Sequence, residues 1–271
     1  MTERIPLFMT ADEVTVLHEG IPAWLRDPLI GWLHNAADER RREVFGSFDL
    51  AVRNTDPYFP KVGYSSVADV MRQEHNVVRF LQFIDFVVSA MPSANVETLE
   101  RLLRLGGSAW TVYARDGDRG LERRVPQGVQ AAANAVMTGG TRAGERLATA
   151  WHEAFGMNPD PSKAYAEAVK AVEDAAIPVV VPKQDNATLG HVIGRLRNDG
   201  NWSLPLSRED PAAPSSETVL RMCQGLWKGH HDRHGGDPNA PKAVSPEEAE
   251  AALFVAVPLV QWFTSGAVAR R

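Results

Sequence analysis

Cysteine is almost missing from this chain: Cys223 stands alone among 271 residues. A single cysteine excludes an intramolecular disulfide framework and suits a reducing cytosol. Cys223 falls on the apolar side of its helix, where a small core hydrophobe is the expected role. An excess of positive charge is missing as well. Lys and Arg number 29 against 34 Asp and Glu, a formal net charge of −5. That balance argues against a protein held to nucleic acid by bulk electrostatics, while leaving room for a local basic patch. No apolar run is long enough to cross a bilayer, which takes about 20 residues; the longest, 249–263, is interrupted by Glu250, Pro258 and Gln261. Met1-Thr-Glu-Arg-Ile-Pro6 has no apolar signal core, and neither internal repeats nor low-complexity segments occur. The expectation is a soluble, cytoplasmic protein without a membrane partner.

What is present has an ordinary globular balance, 44% apolar and 23% charged, over a length that suits one large domain or two ordinary ones. The spacing predicts a helix over 22–37 with Trp24, Leu25, Leu29, Ile30, Trp32 and Leu33 on its apolar side. The charge run 38–43 reads as a solvated helix end, and 48–63, with Asp56-Pro57 and Phe59-Pro60, as irregular chain. Ser65 reads as the N-cap of a long helical region reaching about residue 90. Between Val77 and Val88 that region is apolar nearly all round, hence buried on several sides, and Asp85 within it requires a partner. Asn95 caps a helix with Leu99, Leu102, Leu103 and Leu105 in the core. The period then alternates: 109–114 and 121–125 flank Arg115-Asp-Gly-Asp-Arg-Gly120, which predicts a β-hairpin with Trp110, Val112 and Leu121 on its covered face. An alanine-rich helix follows over 129–137. Thr138-Gly-Gly140 marks the expected boundary between an N-terminal region, 1–139, and a C-terminal one, 140–271.

The C-terminal region carries stronger local signals. A helix is predicted over 142–155, with Leu147, Ala150, Trp151 and Phe155 at helical spacing. Asp160-Pro161 supplies an N-cap and N1 proline for a helix whose core stripe is Tyr165, Ala168, Val169, Val172 and Ala176. Residues 177–182 read as extended and apolar, 188–197 as a short helix, and 201–216 as a proline-rich connection. Ser245-Pro-Glu-Glu248 is a capping box opening a final apolar helix with a kink at Pro258. The expected architecture is mainly α: a bundle of four or five helices behind a mostly helical N-terminal region bearing one hairpin.

The densest chemistry lies in Arg221-Met-Cys-Gln-Gly-Leu-Trp-Lys-Gly-His-His-Asp-Arg-His234. Val219, Leu220, Met222, Cys223, Leu226 and Trp227 form a helix expected to stop at Gly235-Gly236. It delivers Lys228, His230, His231, Asp232, Arg233 and His234 to one end. Metal binding fits poorly, because the alternating His-x-His-x-Asp-His spacing of metallo-β-lactamase-like hydrolases is absent and Arg233 opposes a dication. No metal or cofactor is expected. Acid–base cleavage of RNA by the ribose 2′-hydroxyl fits better. It needs a proton acceptor and donor near neutral pH, which histidine supplies, and cations for the phosphorane, which Arg233 and Lys228 supply. A polar helix end, with one histidine capping carbonyls, remains the alternative.

The C-terminal region resembles the HEPN superfamily, and within it the C-terminal domain of abortive-infection-like proteins. The resemblance rests on Ala150-Trp151, Asp160-Pro-Ser-Lys-Ala-Tyr-Ala-Glu-Ala-Val-Lys-Ala-Val-Glu173, Ala187-Thr-Leu-Gly190, the His-Asp-Arg-His-Gly235 turn and the final helix. It covers about residues 140–268. It implies a four- to five-helix bundle, commonly dimeric, and a metal-independent RNase of an antiviral defence or toxin system. The family signature is an arginine, usually a polar residue after it, then four to six residues and a histidine. Here Lys228-Gly229 precedes His234 by that interval, and Arg233 is adjacent to the histidine. The resemblance implies His234 as acid or base, Arg233 and Lys228 at the phosphate, His230 or His231 assisting, Asp232 beside them, and Glu173 orienting a histidine. RNA and a second copy are the implied partners, with a protein partner expected through the N-terminal region. A catalytically degenerate bundle that dimerises or binds a partner is the alternative.

Overall fold

The computed structural model describes residues 16–58, 65–115, 117–229 and 243–271. The chain is mainly helical and divides into two compact units, Met1–Arg124 and Val125–Arg271. The division falls at the end of the hairpin, ahead of the Thr138-Gly-Gly turn, because the alanine-rich helix packs on helices of the second unit. Among the described residues no helix is long and apolar enough to cross a membrane.

In the first unit, α1 (Ala23–Ala37) is followed by a single 3-10 turn, Asp38–Arg40, and α2 (Arg41–Ala51). The charge run therefore leads into a further helix, which takes in residues 48–51 of the segment expected to be irregular; residues 52–58 are irregular as expected, and 59–63 lie outside the described residues. Phe45 and Phe48 are fully buried and join Tyr58 and Phe83 in one aromatic cluster, with the Phe45 and Phe83 rings stacked 4.6 Å apart. That burial holds α2 despite its charged first turn. The expected long helix is two. α3 (Val67–Gln73) opens on a capping box of Ser66 and Asp69, and α4 (Val77–Ala90) opens on Asn76, whose side chain accepts from the Arg79 amide. Between them Glu74 is buried and accepts from the Tyr58 hydroxyl.

Asn95 caps α5 (Val96–Leu105), accepting from the Thr98 amide at 2.9 Å. Leu99 and Leu103 are buried, but Leu105 and, on α1, Trp24 are exposed. The hairpin pairs β1 (Trp110–Arg115) with β2 (Asp118–Arg123), Val112 opposite Leu121. Asp85 of α4 finds its partner there, accepting from the Leu121 amide at 2.7 Å. A Cβ at the preceding Gly120 would collide with the Asp85 carboxylate and the Tyr113 ring, so glycine is what lets β2 lie on α4.

The second unit contains α6 (Gln127–Met137), α7 (Arg142–Phe155), α8 (Pro161–Val180), α9 (Leu189–Asp199), α10 (Ser215–Lys228) and α11 (Pro246–Thr264). α8 is the central helix, packed against α7, α9 and α11. All five residues of its expected core stripe are buried. The segment expected to be extended continues α8 instead: Pro178 sits inside the helix, and Ala176 and Val180 are buried on either side of it. Burial of those neighbours offsets the backbone hydrogen bond that proline cannot make. α11 opens on the expected capping box, Ser245 with Glu248. Inside the proline-rich connection, β3 (Trp202–Ser203) pairs antiparallel with β4 (Ala269–Arg270). That pairing joins segments far apart in sequence and has no local signature.

Candidate functional site

α10 buries Val219, Leu220, Cys223 and Leu226 and leaves Lys228 exposed. Its end is fixed by α8. The buried Tyr165 donates its hydroxyl to the Leu226 carbonyl at 2.9 Å, one of the terminal carbonyls that a helix leaves without an amide partner. Gly229 follows, its N–H on the Gly225 carbonyl at 3.1 Å, and a Cβ there would collide with the Tyr165 hydroxyl. α10 ends at Lys228 with Gly229 as its C-cap, and the approach of Tyr165 leaves no room for a side chain at 229; the expected stop at Gly235-Gly236 lies outside the described residues.

His230, His231, Asp232, Arg233 and His234 lie outside the described residues. Both flanks of their segment are anchored to the first turns of α8. Gly229 lies against Tyr165, and the amide of buried Val244 donates to the Ser162 hydroxyl at 3.4 Å. Lys228 stands at the first of these anchors.

Glu173 lies on α8. Eight residues beyond Tyr165 on the same helix, it lies about 12 Å further along the axis at 1.5 Å per residue. Its Oε1 accepts from the Leu189 amide at 2.7 Å, so it caps the first turn of α9. Burial pushes its carboxyl above the usual range, outweighing the downward pull of the Leu189 N–H. A carboxyl raised on folding contributes most stability where it is protonated and loses that contribution as pH rises through the raised value. Glu173→Gln keeps an acceptor for Leu189 and removes the charge. It is expected to raise the melting temperature at pH 7 and to flatten the acid-range dependence; a lower melting temperature at pH 7 would contradict this.

Cys223 is fully buried and burial pushes its thiol up to about 12. It is therefore unsuited to act as a nucleophile at neutral pH. Native protein is expected to resist alkylation by a maleimide at pH 7 and to label fully in urea, read by mass spectrometry. Among the described residues no group of three or more His, Cys, Asp or Glu is arranged to hold a metal ion.

Sequence reasoning missed a groove of about 830 Å³ that runs along α9, opposite residues 179–184. Gly190 and Gly194, one turn apart, line it together with Lys183, His191, Arg195 and Arg270. The available signal was the repeat Gly190-His191-Val-Ile-Gly194-Arg195, which sets two glycines on one helix face and a titratable residue after each. Gly190 also abuts α10: a Cβ there would stand 3.1 Å from the Trp227 ring. Comparisons with protein-family models, with curated proteins and with solved structures find no match.

Proposed function

We propose that this chain is a metal-independent endoribonuclease of an abortive-infection or toxin type, built on a HEPN-like bundle in its second unit. The observation that carries the reading is the double anchoring of the histidine-rich segment on α8, at Tyr165 through Gly229 and at Ser162 through Val244. Catalytic geometry demands groups held by a rigid element, and the described residues on either side of His230, His231, Asp232, Arg233 and His234, Gly229 and Val244, both lie against the central helix α8.

In the proposed reaction one histidine takes the proton of a ribose 2′-hydroxyl as its oxygen attacks the adjacent phosphorus. The bond from phosphorus to the 5′-oxygen breaks, and a protonated histidine returns a proton to that leaving oxygen. His234 holds one role and His230 or His231 the other. Arg233 and Lys228 neutralise the charge that grows on the non-bridging oxygens. Lys228 does so as a point charge, without the planar fork of an arginine. A symmetric dimer of the second unit would bring two copies of the segment to one RNA strand.

The second reading is a catalytically degenerate bundle that dimerises or binds a protein partner; Glu173, whose Oε1 accepts from the Leu189 amide, would serve α9 in either case. Incubating total RNA in EDTA with folded wild type, His234→Ala and Arg233→Ala separates the two. Cleavage by wild type alone supports the nuclease, and intact RNA in all three reactions supports the binding module.

A further inference from the structure

We infer that the groove along α9 binds a single strand of RNA by its phosphates and leads it to the end of α10, an inference that rests on the ribonuclease reading. The charge of the groove points to an anion. Lys183, Arg195 and Arg270 line it in a chain that is net negative. Asp199 offsets part of this charge, forming an ion pair with Arg195 Nε at 3.0 Å and accepting from Arg270 and from the Trp202 indole N–H at 2.9 Å. Lys183 has no ion-pair partner among the described residues. One carboxylate against three cations leaves a positive surplus. His191 adds a donor: its Nδ1 accepts from the Thr188 amide at 3.1 Å, which leaves the proton of the neutral ring on Nε2.

The shape points to a strand rather than an enclosed small molecule. Lys183, Gln184, His191, Arg195 and Asn198 are all exposed, so anionic groups lying here keep part of their hydration, as phosphates of a polyanion do and those of a buried ligand do not. From Gly190 to Asn198 the helix rises about 12 Å, room for more than one phosphate.

The floor carries an independent signal. Gly194 is inside a helix, and a Cβ there would meet nothing within 4 Å. Packing within the described residues does not require glycine, although alanine would favour the helix by about 1 kcal/mol. Glycine at this point lowers the floor by a side chain and lets a backbone or base approach α9 closely. At Gly190 the groove adjoins the Trp227 ring, and the next residue of the chain is Lys228, where the histidine-rich segment begins.

The test uses the full chain and a fluorescent single-stranded RNA of about 12 nucleotides, within the span such grooves bind. Its riboses are 2′-O-methylated so that cleavage cannot intervene, and binding is read by anisotropy. Lys183→Glu reverses the unpaired cation, and Gly194→Leu fills the groove from a helix-compatible position; circular dichroism checks that both are folded. Each is expected to weaken binding about tenfold or more, and Lys183→Glu to reduce the salt dependence by about one counterion. Wild-type affinity in both variants would overturn the inference. So would displacement of the strand by adenosine monophosphate at the concentration at which unlabelled strand displaces it, since that marks a mononucleotide site. Weakened binding in the variants together with intact unmodified RNA in wild-type digests would leave the groove standing and remove the nuclease. Cleavage with unchanged binding would do the reverse.

Discussion

His234→Ala is expected to slow RNA cleavage in EDTA by about 10²–10⁴-fold, the range that a positioned acid or base contributes. The proposed site has no metal to generate a nucleophile, so proton transfer at the 2′-hydroxyl and at the leaving 5′-oxygen carries much of the catalysis. Removing the imidazole leaves water in its place. Arg233→Ala is expected to cost about 10²–10³-fold, as loss of one donor to a developing oxyanion does. The two variants differ in their response to pH. His234→Ala should abolish one limb of the pH–rate profile of wild type, whereas Arg233→Ala should lower the whole profile and leave its limbs in place. Rates are read on a fluorescent RNA under single turnover. A His234→Ala variant that cleaves within twofold of wild type would remove His234 from the mechanism.

The largest effect on stability is expected at Trp151. It is fully buried in the second unit, its ring 4.7 Å from Phe155 and 6.5 Å from Phe254. Its indole N–H has no acceptor among the described residues. Trp151→Ala therefore sacrifices no hydrogen bond, and its cost is the lost apolar contact plus the cavity left behind, about 3–5 kcal/mol. Trp151→Phe retains much of the volume and removes a buried, unsatisfied donor, so it should cost less than about 1.5 kcal/mol. Hydrogen exchange of the α7 and α8 amides reads the second unit separately from the first. Equal losses in the two variants would show that the N–H does find a partner, contrary to this account.

The elements legible in the sequence are those whose signals are local. Asp160-Pro161, Ser245-Pro-Glu-Glu248 and Asn95 state their caps within one turn of chain, and α7 and the hairpin follow from apolar period and turn chemistry. The misread elements answer to distant partners. α2 forms because Phe45 and Phe48 bury against Phe83, which lies on another helix. The break between α3 and α4 belongs to Glu74, buried against Tyr58, and residues 177–180 stay helical because Ala176 and Val180 are buried. Proline and β-branched residues taken alone suggested an extended segment there.

The candidate site divides in the same way. Lys228 at the end of an apolar helix is visible in the sequence, whereas the need for glycine at 229 is not, because it comes from Tyr165 some sixty residues earlier. Glu173 is polar and off the core stripe, as its helical period indicates. Its engagement with Leu189 depends on how the chain between α8 and α9 turns, which no local pattern states. The groove escaped for a similar reason: Arg270 reaches it only through the pairing of β3 with β4.

The most direct test of the proposed chemistry is the identity of the ends that wild-type protein leaves on a single-stranded RNA digested in EDTA. Attack by the 2′-hydroxyl predicts 2′,3′-cyclic phosphate on one fragment and a free 5′-hydroxyl on the other. Intact RNA, or fragments bearing 5′-phosphate, would contradict it.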